Sequence, residues 1–94
     1  MHIIDILWLP DIIEKLDAKH NVQPYEVEEI FMGQPNFRRI ERGKIHGENL
    51  YTALGQTEAG RYLIVYFIRK PGGVALVISA RDMDPRERRQ YGHK

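Results

Sequence analysis

Arginine and tyrosine recur along the last third of the chain. Arg61, Tyr62, Tyr66 and Arg69 share one β-prone run, Arg81 closes the next, and Arg86, Arg88, Arg89 and Tyr91 follow. A guanidinium stays protonated and its planar fork can bind two phosphate oxygens at once, while a phenol can stack on a base or donate a proton. From Arg61 to Lys94 there are eight Lys or Arg against three Asp or Glu, whereas Met1 to Glu29 carries two against seven. A formal net charge of +1 therefore conceals a polarised molecule. The polarity points to a cationic RNA surface at one end.

Cleavage of RNA without a metal requires three things: activation of a ribose 2′-hydroxyl, stabilisation of the charge that builds on phosphorus, and a proton for the leaving oxygen. Arginine suits the second task. Arg61 and Arg69 stand eight apart on one proposed strand, so alternation puts them on one face at opposite ends, roughly 26 Å apart. They cannot share a phosphate. Antiparallel pairing instead brings the start of one strand beside the end of the next, which favours Arg61 with Arg81. Arg88 and Tyr91, three apart, share a helix face that would join them there. For acid–base work the candidates are His46 and Glu48 in one loop and Glu58 in the turn before Arg61. The candidate catalytic set is thus Arg61, Arg81, Tyr91, Glu58 and His46, with Arg69, Arg88, Arg89 and Lys44 as further RNA contacts.

Plainer readings stand beside these. Charges at strand ends are commonly solvated, Tyr62 and Tyr66 suit sheet packing, and Arg86, Arg88 and Arg89 suit a helix dipole. Glu26, Glu28 and Glu29 read as a solvated helix face or as a docking surface for a basic partner segment.

The elements that must position these residues follow from periodicity. Ile3 to Trp8 forms a short β-prone run that Pro10 ends. Leu9, Ile12, Ile13 and Leu16 recur at helical spacing, predicting a helix to about Lys19, and Pro24 opens a second helix that Gly33 and Pro35 close. Strands are predicted at Asn36–Glu41, Asn49–Gln56, Arg61–Arg69 and Val74–Arg81, separated by glycine-containing turns. Asp84-Pro85-Arg86-Glu87 supplies the N-cap, first-turn proline and N3 glutamate of a short C-terminal helix. The predicted architecture is α+β: two N-terminal helices packed on an antiparallel four- to five-stranded meander, with the other sheet face partly open to a ligand.

Ninety-four residues predict one domain over 1–94. The lack of cysteine excludes a disulfide scaffold and thiolate chemistry, and His2, His20, His46 and His93 show no metal-ligand spacing. No cofactor is expected. No apolar run approaches a membrane span and the N-terminus lacks a signal-peptide pattern, so a cytoplasmic protein without membrane contact is expected. A metabolic enzyme is disfavoured, since no phosphate-cradling glycine loop, metal triad or nucleophile–base motif appears.

Eight blocks in register resemble the BrnT family of toxins. They are Trp8-x-Pro10, Lys19-His20-x-Val22, Tyr25-Glu26-Val27-Glu28-Glu29-Ile30-Phe31, Ala53-Leu54-Gly55, Gly60-Arg61-x-Leu63, Val65-Tyr66-x-x-Arg69, Ile78-Ser79-Ala80-Arg81 and Glu87-Arg88-Arg89-x-Tyr91. The resemblance implies a bacterial type II toxin–antitoxin ribonuclease with a RelE-like fold, inhibiting translation and neutralised by a BrnA-like antitoxin. It implies DNA contact only indirectly, through the antitoxin complex. The alternative is a catalytically inactive toxin-fold module that binds RNA or a protein partner, motivated by the lack of an unmistakable acid–base pair.

Overall fold

The computed structural model describes residues 1–41 and 48–92. Strand β1 (Asp5–Leu7) leads into helix α1 (Pro10–Lys15), a π-helical segment (Leu16–His20) and helix α2 (Pro24–Met32). Strands β2 (Asn36–Glu41), β3 (Leu50–Gln56), β4 (Tyr62–Lys70) and β5 (Val74–Asp82) come next, followed by α3 (Pro85–Gly92). The fold is α+β, with a five-stranded sheet ordered β1-β5-β4-β3-β2.

From β2 to β5 the sheet is the antiparallel meander that the turn residues predict. Gly72 and Gly73 take φ of 83° and 79° in the β4–β5 turn, a region that residues with a Cβ rarely enter. The prediction of a wholly antiparallel sheet is corrected, because β1 lies parallel to β5 with Ile6 opposite Ala75. The sheet is mixed. Only Trp8 and Leu9 separate β1 from α1, and the α1 and π-helical segments pack on β5, so β1 must run in the direction that delivers the chain to them.

The two predicted N-terminal α-helices are also corrected. The first is α-helical for six residues only and then widens into the π-helical segment. Asn21 stops it in the left-handed region at φ 51°, and the Val22 N–H returns to the Leu16 carbonyl at 3.0 Å. That closure resembles a Schellman end and seats Leu16 and Val22 together in the core. An apolar stripe at i, i+3, i+4, i+7 does not distinguish an α-turn from the wider π-turn. Helix α2 begins as the sequence requires, with Pro24 at its first position and the Gln23 N–H donating to Glu26 Oε1 at 3.0 Å.

Alternation along β4 builds two cores. Leu63, Val65 and Phe67 join Leu16, Val22, Val27 and Ile30 on the face covered by α1 and α2. Phe67, fully buried, sits among Phe31, Phe37 and Tyr51 with ring centroids 5.1, 5.9 and 5.8 Å away. A Cβ at Gly55 would lie 3.0 Å from Ile30 Cγ2, so the glycine lets α2 approach β3 closely. On the opposite face Leu54, Ile64 and Met83 pack with Tyr62, Tyr66 and Tyr91. Helix α3 therefore lies over the face predicted to be open, because Tyr91 supplies it with one aromatic anchor.

One irregularity sets which side chains reach that second face. Tyr66 pairs with Ser79 and Phe67 with Val77, leaving Ile78 as an extra residue in β5. Ala75 and Val77 before the bulge, and Ala80 after it, all belong to the core beneath α1 and α2. Alternation resumes one residue late, and Arg81 emerges on the second face.

Candidate functional site

Arg61, the residue before β4, reaches the side of the sheet that carries α2. Its Nε donates to Asp82 Oδ1 at 2.7 Å and its Nη2 to Asp82 Oδ2 at 3.3 Å. The same Nη2 donates to the His20 carbonyl at 2.9 Å, while Nη1 serves the Asn21 carbonyl at 2.7 Å and Glu26 Oε1 at 3.1 Å. A guanidinium has five N–H donors, and all five are engaged. They tie the end of the π-helical segment, the first turn of α2 and the end of β5 to one point. Asp82 raises the Arg61 pKa above its ordinary value, and Arg61 in turn lowers that of Asp82.

Arg81, at the end of β5, points to the other face. Its Nη1 donates to Glu87 Oε1 at 2.8 Å and to the Asp82 carbonyl at 3.1 Å. Its Nη2 donates to Glu87 Oε2 at 2.9 Å and to the Tyr66 hydroxyl at 3.1 Å. The Nε–H alone has no acceptor among the described residues. Glu87 Oε1 also accepts the Asp84 N–H at 2.9 Å, and the Glu87 N–H donates to Asp84 Oδ1 at 2.8 Å, so the predicted capping box forms and aims Glu87 at Arg81. Hydrogen bonds from Arg81 hold the Glu87 carboxyl below its usual range, and the Glu87 carboxylate raises the Arg81 pKa.

Around that pair stand the aromatic residues. The Arg88 guanidinium lies 4.1 Å from the Tyr62 ring centroid, and Tyr62 meets Tyr91 edge to face at 6.0 Å. Arg88 is exposed and its guanidinium makes no salt bridge or hydrogen bond within the described residues, so its donors point to solvent while its face rests on Tyr62. Cation–π stacking of this kind orients a guanidinium without using its N–H groups. Tyr66, Arg81, Arg88 and Tyr91 therefore form one surface carrying two guanidinium groups and several phenols. Such a surface can grip a phosphate, stack a base and supply a phenolic proton.

The structure thus separates several residues that strand order alone would group. Arg61 and Arg81 end neighbouring strands, yet they face opposite sides of the sheet. Glu58 is exposed in the β3–β4 turn, its N–H donating to Glu29 Oε1 of α2 at 3.2 Å, which places it on the Arg61 side. Arg69 is exposed at the far end of β4, where Lys70 pairs with Glu48. Arg89 lies on α3 away from the Tyr62 stack and lines a cleft beside β2. His46 and Lys44 lie outside the described residues. Among the described residues, no three His, Cys, Asp or Glu side chains gather where a metal ion could be held.

Residues 8–87 match the family model described as the ribonuclease toxin BrnT of type II toxin–antitoxin systems. The chain belongs to the BrnT family. That match covers every residue of the Arg61 clamp and the Arg81–Glu87 pair. No curated protein matches the chain. BrnT membership carries an antitoxin partner with it, since type II toxins act in toxin–antitoxin pairs. No helix among the described residues is long and apolar enough to cross a membrane.

Two participants in the BrnT surface were not singled out from sequence. Tyr66 read as sheet packing, and Glu87 read only as a capping residue. The spacing Arg81 to Glu87 across Asp84-Pro85 was the available signal, because a capping box that starts three residues after a strand turns its glutamate back toward that strand.

Proposed function

We propose that this BrnT-family chain is a metal-independent ribonuclease toxin whose scissile phosphate is held on the second sheet face, between Arg81 and Arg88. The single observation that supports this reading is the Arg81–Tyr66 and Arg88–Tyr62–Tyr91 assembly under α3. Arg88, stacked yet unpaired, offers its N–H edge to phosphate oxygens, and the Arg81 Nε–H adds a second donor. Glu87, the carboxylate nearest the site, accepts the proton of the 2′-hydroxyl as it attacks phosphorus, and Tyr91, with Tyr66 beside Arg81, gives its phenolic proton to the departing 5′-oxygen. Arg61 holds the scaffold, because no donor on it is left for a ligand. RNA cleavage of this kind inhibits translation, and a BrnA-like antitoxin neutralises it by covering the face, with DNA reached only through that complex.

Purified protein incubated with total RNA in EDTA is expected to produce discrete fragments. Arg81→Ala, Arg88→Ala and Tyr91→Phe are expected to abolish or strongly reduce them, while Arg61→Lys retains cleavage in the folded fraction. Intact RNA at high protein excess would sink the proposal. One observation favours the second reading, a binding module without catalysis: Glu87 closes the Arg81 fork bidentately. On that reading RNA binds in a salt-sensitive way and is never cut.

A further inference from the structure

A separate cleft of about 650 Å³ opens on the second face, between the edge strand β2 and helix α3. Arg38 from β2 and Arg86 and Arg89 from α3 line it, together with Leu54, Asn36 and Gln90. Arg38, Arg86 and Arg89 are exposed, and none of their guanidinium groups has a salt bridge, hydrogen bond or ring partner among the described residues. Arg61 and Arg81, by contrast, are each paired with carboxylates. Three like charges around one depression repel one another, so the arrangement favours an anion that bridges them.

Register connects this cleft to the proposed site. Asn36 pairs with Leu54, Leu54 with Ile64 and Ile64 with Arg81, which makes one row across β2, β3, β4 and β5. Arg38, Thr52, Tyr66 and Ser79 make the adjacent row. Residues two apart on a strand share a face, so Arg38 and Tyr66 lie on the side that carries Arg81. Three strand spacings separate β2 from β5, about 14 Å. A single-stranded backbone crossing the sheet along these rows passes from the tyrosine cluster over Leu54 into the cleft.

We propose that the β2–α3 cleft is a subsite for the single-stranded RNA backbone flanking the scissile phosphate, with Arg38, Arg86 and Arg89 as its phosphate contacts. This rests on the ribonuclease reading for the identity of its ligand. The amides of Asn36 and Gln90, each with donor and acceptor, face the same space and can meet a ribose hydroxyl or a base edge. Those groups, and the continuity with the tyrosine row, favour RNA over an acidic polypeptide.

The test uses the full chain and a 2′-O-methyl oligonucleotide of about ten nucleotides, which lacks the attacking hydroxyl and therefore reports binding alone. Fluorescence anisotropy is measured from low to high salt. Arg38→Gln, Arg86→Gln and Arg89→Gln are each expected to weaken binding several-fold and to reduce the slope of log K against log salt by about 0.7. Arg39→Gln removes the same charge from the neighbouring position on β2 outside the cleft, and is expected to change neither. In parallel, cleavage of a dinucleoside monophosphate, which spans only the scissile bond, is expected to be unaffected by all three. If the cleft variants bind like the parent while RNA is still cut, the subsite falls and the ribonuclease reading survives. If nothing is cut but the three variants still weaken binding, the subsite survives without catalysis. Equal damage from Arg39→Gln, or saturation by polyglutamate with no oligonucleotide binding, overturns the proposal.

Discussion

Arg61 and Arg81 end adjacent strands and are both paired with carboxylates, yet their surroundings differ. Arg61 is closed: five donors meet five acceptors on the π-helical segment, α2 and β5. Arg81 meets a single carboxylate, a carbonyl and a phenol, with exposed Arg88 and Tyr91 on the same side. Identical side chains can thus serve as a tie or as part of a ligand surface, and the difference lies in whether any donor remains. It also separates the two faces, with the larger buried core beneath α1 and α2 and the proposed ligand site beneath α3.

Phe67→Ala should show the largest effect if the helix-covered face carries stability. Removing a fully buried ring from a cluster of aromatic residues costs about 4 kcal/mol, which denaturant unfolding measures. A loss below about 1 kcal/mol would contradict the assignment.

Arg81→Ala probes the other side of the comparison. Cleavage is expected to fall about 100-fold or more, with folding weakened by no more than about 1 kcal/mol since the pair is partly exposed. A variant that unfolds without losing activity per folded molecule would reverse the roles of the two arginines.

Arg61→Ala should do the opposite. It leaves two carbonyls and the largely buried Glu26 carboxylate without their donor, so stability should drop by about 2 kcal/mol. The melting temperature would fall by roughly 10 °C, while the folded fraction cuts RNA at the parent rate. Cleavage lost at unchanged Tm would show that Arg61 contacts substrate.

Acid should produce the smallest change, and its sign follows from the two carboxylates. Arginine holds the folded-state pKa of both Asp82 and Glu87 below the ordinary carboxylate value. Their contribution is therefore present at neutral pH and is lost as pH falls below about 4. Thermal melts from pH 7 to pH 3 should show Glu87→Gln losing less stability than the parent over that window. Parallel curves would mean that the pair adds nothing to the fold.

Much of this architecture was legible in the chain. The bounds of β2, Asn36–Glu41, coincide with the prediction because Gly33 and Pro35 punctuate the chain before it, and the capping box of α3 forms as Asp84 and Glu87 require. What escaped is non-local. The parallel place of β1 depends on where α1 must pack, and the partners of Arg61 lie 21 to 41 residues away. Glu26 looked like part of a solvated helix face, since nothing in its own segment reveals the guanidinium that turns it inward. The face taken by Arg81 was hidden for a different reason: Val74 to Ala80 is apolar or small throughout, so its pattern carries no mark of the residue that slips out of register.

That slipped residue, Ile78, makes the parity of β5 a switch. Were Ile78 paired like its neighbours, counting by twos from Val77 would carry position 81 to the side of Arg61, setting one guanidinium beside another and leaving the tyrosines without theirs. The bulge at this one position therefore decides which face Arg81 takes. Deleting Ile78 would leave Val77 and Ser79 consecutive opposite Phe67 and Tyr66 and keep Arg81 on its present face, whereas drawing the bulge straight with Ile78 retained would turn the end of the sheet inside out.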